Sequence, residues 1–168
     1  MLKKTYLIVI LISLNFCALA QSGWVKQKFG NRLTIAFPTE AKKVNESTYI
    51  ARDSSGTVCG VVIVPIDKNS FLEASATDSL LTRIKFIDVV VNGIKAKMPK
   101  YAIGDIKISQ INNLKTYSLE GVNEENKSTV YINIFLVDDV SYSLTCFLPI
   151  GVSTTNKDIF LKNFAVSK

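Results

Sequence analysis

Residues 129–148 read TVYINIFLVDDVSYSLTCFL, two nine-residue apolar runs on either side of Asp138-Asp139. In the second run Tyr142, Leu144, Cys146 and Leu148 alternate with Ser141, Ser143, Thr145 and Phe147, so one face is mostly polar and the other is buried, with Cys146 pointing inward. A pair of adjacent aspartates between two such runs is a tight turn, which makes the unit an antiparallel hairpin. Working upstream, Gly104 to Ile111 and Leu114 to Gly121 carry the same signal and are linked by Asn112-Asn113, while Asn123 to Lys127 connects to Thr129. The expectation is a four-strand antiparallel meander from residue 104 to residue 148.

Ahead of the meander the period changes. Leu80, Ile84, Ile87, Val91 and Ile94 recur at spacings of four and three, which places them on one side of a long helix between Ser70 and Met98. Ser75 with Asp78, or Ser70 with Glu73, offers its N-terminal cap. Lys95, Lys97 and Lys100 complement the dipole at its far end, and Pro99 forbids continuation. Further upstream, Thr48 to Arg52 and Thr57 to Val64 flank Asp53-Ser54-Ser55-Gly56 and should pair as a hairpin. The run Thr57 to Val64 is apolar on both faces, as a central strand covered on both sides would be. Trp24 to Phe37 opens with scattered aromatics and then alternates Leu33, Ile35 and Phe37 up to Pro38, a strand and its stop. After Pro149 and Gly151, Thr154 or Thr155 caps a closing helix whose Ile159, Phe160 and Phe164 form an apolar face.

These elements define an α+β chain: an antiparallel sheet of about six to seven strands, a long helix after the first hairpin and a C-terminal helix. No repeat or Pro- or Gly-rich linker divides it, so residues 21–168 read as a single domain. The first 20 residues read as a signal peptide. Lys3 and Lys4 make a positive start, Tyr6 to Phe16 is an apolar run, and Ala18-Leu19-Ala20 is a small-x-small cleavage signal before Gln21. The run is short for a membrane span, and Phe16 stands where lipoprotein processing at Cys17 needs a small residue. A cleaved leader and a periplasmic or secreted, bacterial protein are the expectation, without stable membrane insertion after cleavage.

The order strand, hairpin, long helix, meander, terminal helix resembles the α/β/α sandwich of PsbP-like and DcrB-like proteins. The resemblance is carried by Phe29 with Leu33-Thr34-Ile35-Ala36-Phe37-Pro38, by the hairpin around Ser54-Ser55-Gly56, and by the finish from Phe160 to Ser167. These families include photosystem accessory subunits and envelope proteins. The resemblance implies a non-catalytic binding or assembly module and transfers no functional residue.

The chemistry legible in the chain is sparse. There is no histidine, which removes the commonest metal ligand and neutral-pH general base. The adjacent carboxylates, Asp138-Asp139 and Glu124-Glu125, sit in solvated turns. Asp67-Lys68-Asn69 starts like a calcium loop, but Phe71 and Leu72 occupy positions that need a ligand and a glycine. No catalytic, cofactor-binding or metal residue is therefore expected. The net charge of +6 falls to +4 when Lys3 and Lys4 leave with the leader, too little to suggest nucleic acid. Cys59 and Cys146 remain as buried thiols or as a structural disulfide, the latter only if two particular strands are neighbours in register. The functional expectation is an exported non-enzymatic module with an envelope or secreted protein partner. The alternative is a carrier of a small apolar ligand between helix and sheet, suggested by Val89, Val90 and Val91.

Overall fold

The computed structural model of the chain describes residues 23–65 and 80–167. Five strands come first: β1 (Val25–Phe29), β2 (Leu33–Phe37), β3 (Lys42–Asn45), β4 (Thr48–Arg52) and β5 (Val58–Pro65). Helix α1 (Leu80–Lys97) follows, then β6 (Ala102–Ile103), β7 (Lys107–Ile111), β8 (Leu114–Asn123), β9 (Ser128–Val137) and β10 (Val140–Pro149). Helix α2 (Thr155–Lys162) and β11 (Phe164–Val166) complete the described order. The strands form two sheets. One has eight strands, ordered β3-β4-β5-β10-β9-β8-β6, with β7 also paired to β8; the other is β1-β2-β11. The chain is thus α+β with antiparallel pairing throughout the described ladders, but the single sheet of six to seven strands becomes a large sheet and a small one. The helix at Leu80–Lys97 follows the fifth strand, not a first hairpin.

The apolar runs of β9 and β10 explain the layering. Their register pairs Phe135 with Tyr142, Asn133 with Leu144 and Tyr131 with Cys146. Alternation sends these residues to one face and Val130, Ile132 and Ile134 to the other. On the first face Phe135, Val137, Leu144 and Cys146 join Leu33, Ile35 and Phe37 of the small sheet and Phe160 and Leu161 of α2 in one core. On the second, Val130, Ile132 and Ile134 join Tyr117 and Leu119, and Val90, Val91 and Ile94 of α1 pack against them. A sheet covered on both sides is the physical reason its central strands are apolar on both faces. β5 is one of these, between β4 and β10.

Turn chemistry fixes the hairpins. Asn112 and Asn113 adopt φ of 51° and 64°, the left-handed conformation that asparagine tolerates best among residues with a side chain. Asp138 does the same with φ of 53°. Between β4 and β5, Asp53 Oδ1 accepts from the backbone amides of Ser55 (2.8 Å) and Thr57 (2.9 Å) and from the Ser55 hydroxyl (2.6 Å). Asn156 Nδ2 of α2 donates to Asp53 Oδ2 at 2.7 Å, so one carboxylate both shapes the turn and ties it to the helix. Burial opposes ionisation of this carboxyl, but the hydrogen bonds from Ser55, Asn156 and Thr57 outweigh it and hold its pKa below the ordinary 3.8. A depressed folded pKa contributes stability that is present above the ordinary value and lost as pH falls through the folded one. Asp53→Ala should therefore lower stability by about 1–2 kcal/mol at neutral pH. Urea midpoints of the two proteins should converge as the pH is taken below 3.8; a gap that stays constant would contradict this role for the ionised group.

Several expected boundaries move. Trp24 to Phe37 is not one strand but the β1–β2 hairpin, turned at Gly30 with φ of 59°. The first strand of the expected meander, Gly104 to Ile111, begins only at Lys107 as β7, and a short β6 precedes it; both pair with β8, on either side of residues 104–106. Thr154 is the N-cap of α2 but makes no side-chain cap; Ser153 Oγ accepts from the Thr155 amide at 3.3 Å instead. Phe164 belongs to β11, which pairs Phe164 with Ile35 and Val166 with Leu33, so the closing helix hands over to a strand. The proposed caps at Ser70, Glu73, Ser75 and Asp78, the Asp67 loop and the leader lie outside the described residues.

Candidate functional site

A cleft of about 460 Å³ opens beside β8 and β9, on the face that carries α2. The register sets Ser118 opposite Asn133 and Glu120 opposite Tyr131, so four polar or amphipathic side chains project together from two adjacent strands. Asp105, from the link between β6 and β7, and Lys107, at the start of β7, line the cleft, as does Leu161 of α2. Gly104 donates its amide to the Glu120 carbonyl at 2.9 Å, which holds that link against β8.

The floor of the cleft is an ordered polar relay. Ser118 Oγ donates to Asn133 Oδ1 at 2.7 Å, and Asn133 Nδ2 donates to the Leu161 carbonyl at 3.2 Å. Asn133 is buried, and these bonds are what makes a buried amide tolerable there. They also commit the Ser118 proton to an amide acceptor, so no base activates that hydroxyl as a nucleophile. Tyr131 lies beneath Lys157, whose Nζ is 4.3 Å from the ring centroid. Burial raises the Tyr131 pKa and the nearby Glu120 carboxylate adds to the shift, while Lys157 partly opposes it. Its phenol stays protonated at neutral pH and able to donate. The cleft thus offers a neutral phenol, two carboxylates and one lysine to a small polar group. It lies on the opposite face of the sheet from α1, away from the place where an apolar ligand was expected.

The residues marked in the sequence fall elsewhere. Cys59 and Cys146 are register partners on β5 and β10, both with zero exposure, and their Sγ atoms are 3.2 Å apart. The strand adjacency that a disulfide requires is therefore met. Asp138 is in the β9–β10 turn and pairs with Arg32 at 2.5 Å. Glu125 pairs with Lys100 at 2.9 Å, which draws one lysine of the basic helix end into an exposed ion pair. Val89 is 60% exposed, whereas Val90 and Val91 pack on the sheet. Among the described residues no three of His, Cys, Asp and Glu come together as a metal site would require, and no helix is long and apolar enough to cross a membrane. The relay through Asn133 was missed. Its signal was present: an amide on the buried face of β9, between Tyr131 and Phe135.

No family model matches the chain, and no curated protein matches it in sequence. Solved structures do match. The solution structure of cyanobacterial PsbP (CyanoP) from Synechocystis sp. PCC 6803 aligns with a TM-score of 0.60 at 12% identity, over 87% of this chain and 94% of that one. A crystal structure from Bacteroides thetaiotaomicron VPI-5482 aligns with a TM-score of 0.50 at 8% identity, over 81% of this chain. It is a longer protein, and the match spans 45% of its length. The fold of this chain is PsbP-like.

Proposed function

We propose that this protein is an exported, non-catalytic accessory domain that binds a protein of the cell envelope or of the secreted fraction. The observation that carries the reading is the PsbP-like fold, aligned along 94% of cyanobacterial PsbP, taken with a sequence that begins like a signal peptide. The relay at Ser118 and Asn133 supports it, because those groups are spent on structure and not poised for reaction. Ile50 and Val64 support it too: alternation places them on one face of the sheet, and they are 40% and 50% exposed. Neither nucleic acid nor a cofactor belongs to this reading. The α/β/α sandwich is the finer architecture that it assumes, with α1 over one face of the large sheet and α2 over the other.

Pull-down from an envelope fraction should return a reproducible partner, and finding none would count against the proposal. Export has its own product. Cleavage after Ala20 leaves Gln21 first, and an N-terminal glutamine cyclises readily to pyroglutamate. Mass analysis of the chain from the periplasm or medium should find a blocked N-terminus at Gln21. A chain retaining Tyr6 to Phe16 in the membrane, or one lipidated at Cys17, would refute export as a soluble domain. The second reading, a carrier of a small apolar ligand between α1 and the sheet, draws on the valines of α1. Native mass spectrometry that finds only bare protein would end it.

A further inference from the structure

We infer that Cys59 and Cys146 close into a structural disulfide across the centre of the large sheet. Two hairpins fix the pairing geometry independently. In the β4–β5 hairpin the Asp53 amide donates to the Thr57 carbonyl at 3.0 Å, and the register then runs Arg52 with Val58 and Ala51 with Cys59. Hydrogen-bonded and non-hydrogen-bonded pairs alternate along an antiparallel ladder. Ala51 and Cys59 are therefore a hydrogen-bonded pair, and the polar backbone groups of Cys59 point toward β4. In the β9–β10 hairpin the two-residue turn at Asp138-Asp139 makes Val137 and Val140 a hydrogen-bonded pair, and counting six residues along the register gives the same character to Tyr131 and Cys146. The backbone groups of Cys146 thus point toward β9. From both sides, Cys59 and Cys146 face each other as a non-hydrogen-bonded pair, the kind in which Cα atoms approach to about 4.5 Å and side chains lie closest. That separation falls within the range a disulfide spans.

The side chains agree with the backbone. Both thiols lie on the face that packs against α2 and the small sheet, in the same core as Val61 and Leu144. Neither is exposed. The Cys146 sulfur and burial raise the Cys59 pKa strongly, so the folded thiol pair is unreactive. The bond must form while the strands are still assembling. Glutathione disulfide serves as the oxidant: one cysteine thiolate displaces a glutathione thiolate to give a mixed disulfide, and the second cysteine thiolate displaces the other. Two glutathione thiols leave with the electrons and both protons. Once formed, the bond is sealed in the core, which makes it a staple and not a switch.

The test uses the full-length chain made by cell-free synthesis and folded in a buffer of reduced and oxidised glutathione. The product is denatured in iodoacetamide without reductant and digested with trypsin. The expected result is a linked pair of peptides, 53–68 and 128–157, free of alkylation, with Cys17 on a different peptide. Dithiothreitol should cleave the link only when denaturant is present. The oxidised protein should melt roughly 10 °C above the Cys59→Ala/Cys146→Ala variant, because the link closes a long loop. Recovery of both peptides alkylated, or joined to glutathione or Cys17, would overturn the inference. So would cleavage by dithiothreitol in the native state. The peptide map decides the matter even if the double variant does not fold.

Discussion

Phe135→Ala is expected to remove about 3–5 kcal/mol of stability, the usual cost of emptying an aromatic site in a packed core. Phe135 is fully buried on β9, its ring stacked on Phe164 of β11 with centroids 4.3 Å apart and planes 11° apart, and on Tyr142 of β10 at 6.0 Å. The residue therefore joins the large sheet to the small one. Since domains are stable by only about 5–15 kcal/mol, the melting temperature should fall by roughly 10 °C or more. Phe135→Leu, which keeps most of the volume, should cost distinctly less. Hydrogen exchange adds a local readout, since amides of β11 should lose protection before those of β10. A Phe135→Ala loss no larger than that of Val89→Ala, at an exposed site, would mean that the two sheets do not share a core there.

Gly60→Val should be damaging for the opposite reason, at a somewhat smaller cost. A Cβ at Gly60 would lie 2.9 Å from Ile50 Cγ2 and 3.1 Å from the Tyr49 carbonyl oxygen. Ile50 is the direct register partner of Gly60 and its side chain occupies the space above the glycine. The side chain can swing aside, but the carbonyl belongs to β4 and moves only if the strand moves. Overpacking a strand in this way costs about 1–3 kcal/mol, and the two methyl groups of valine place it at the upper end. Gly60→Ala should cost less. Adding Ile50→Ala should recover part of the loss but not all of it, because the carbonyl contact persists; chemical denaturation of the four members of that cycle would show it. Full recovery would mean that the Tyr49 carbonyl plays no part.

The parts of the fold that local chemistry dictates were legible in the sequence. Asn112-Asn113 and Asp138-Asp139 mark turns because few other residues accept positive φ, and the two-faced apolar run of β5 announces a strand flanked on both sides. The small sheet was hidden because it depends on partners remote in sequence. In β1 only Phe29 is buried, leaving Val-Lys-Gln-Lys without a clear period; in the large sheet the edge strand β3 is equally hidden, because every one of its residues is exposed. In the sequence, Phe164 of β11 looks helical because Phe160 and Phe164 stand four apart, a helical spacing. Asn163 ends the helix between them, with φ of −91° and ψ of 65°. The site was less legible still. Asp105, Glu120, Tyr131 and Asn133 come from three segments, and only the register of β8 against β9 brings the last three together.

The position of β2 has a consequence for how the chain acquires its structure. β2 lies between β1, from which only a short turn separates it, and β11, whose Phe164 pairs with Ile35 after about 130 intervening residues. The Ser167 amide donates to the Arg32 carbonyl at 2.7 Å, and the Ala36 amide donates to the Asn163 carbonyl at 3.0 Å, so the seam is bonded along its whole length. A nascent chain leaving the ribosome cannot make this seam until residues 163–167 have emerged. Until then one edge of β2 stays open and the apolar face beneath the small sheet lacks part of its cover. Such high contact order slows folding, so the closing of the small sheet waits on the last strand however early the local hairpins form.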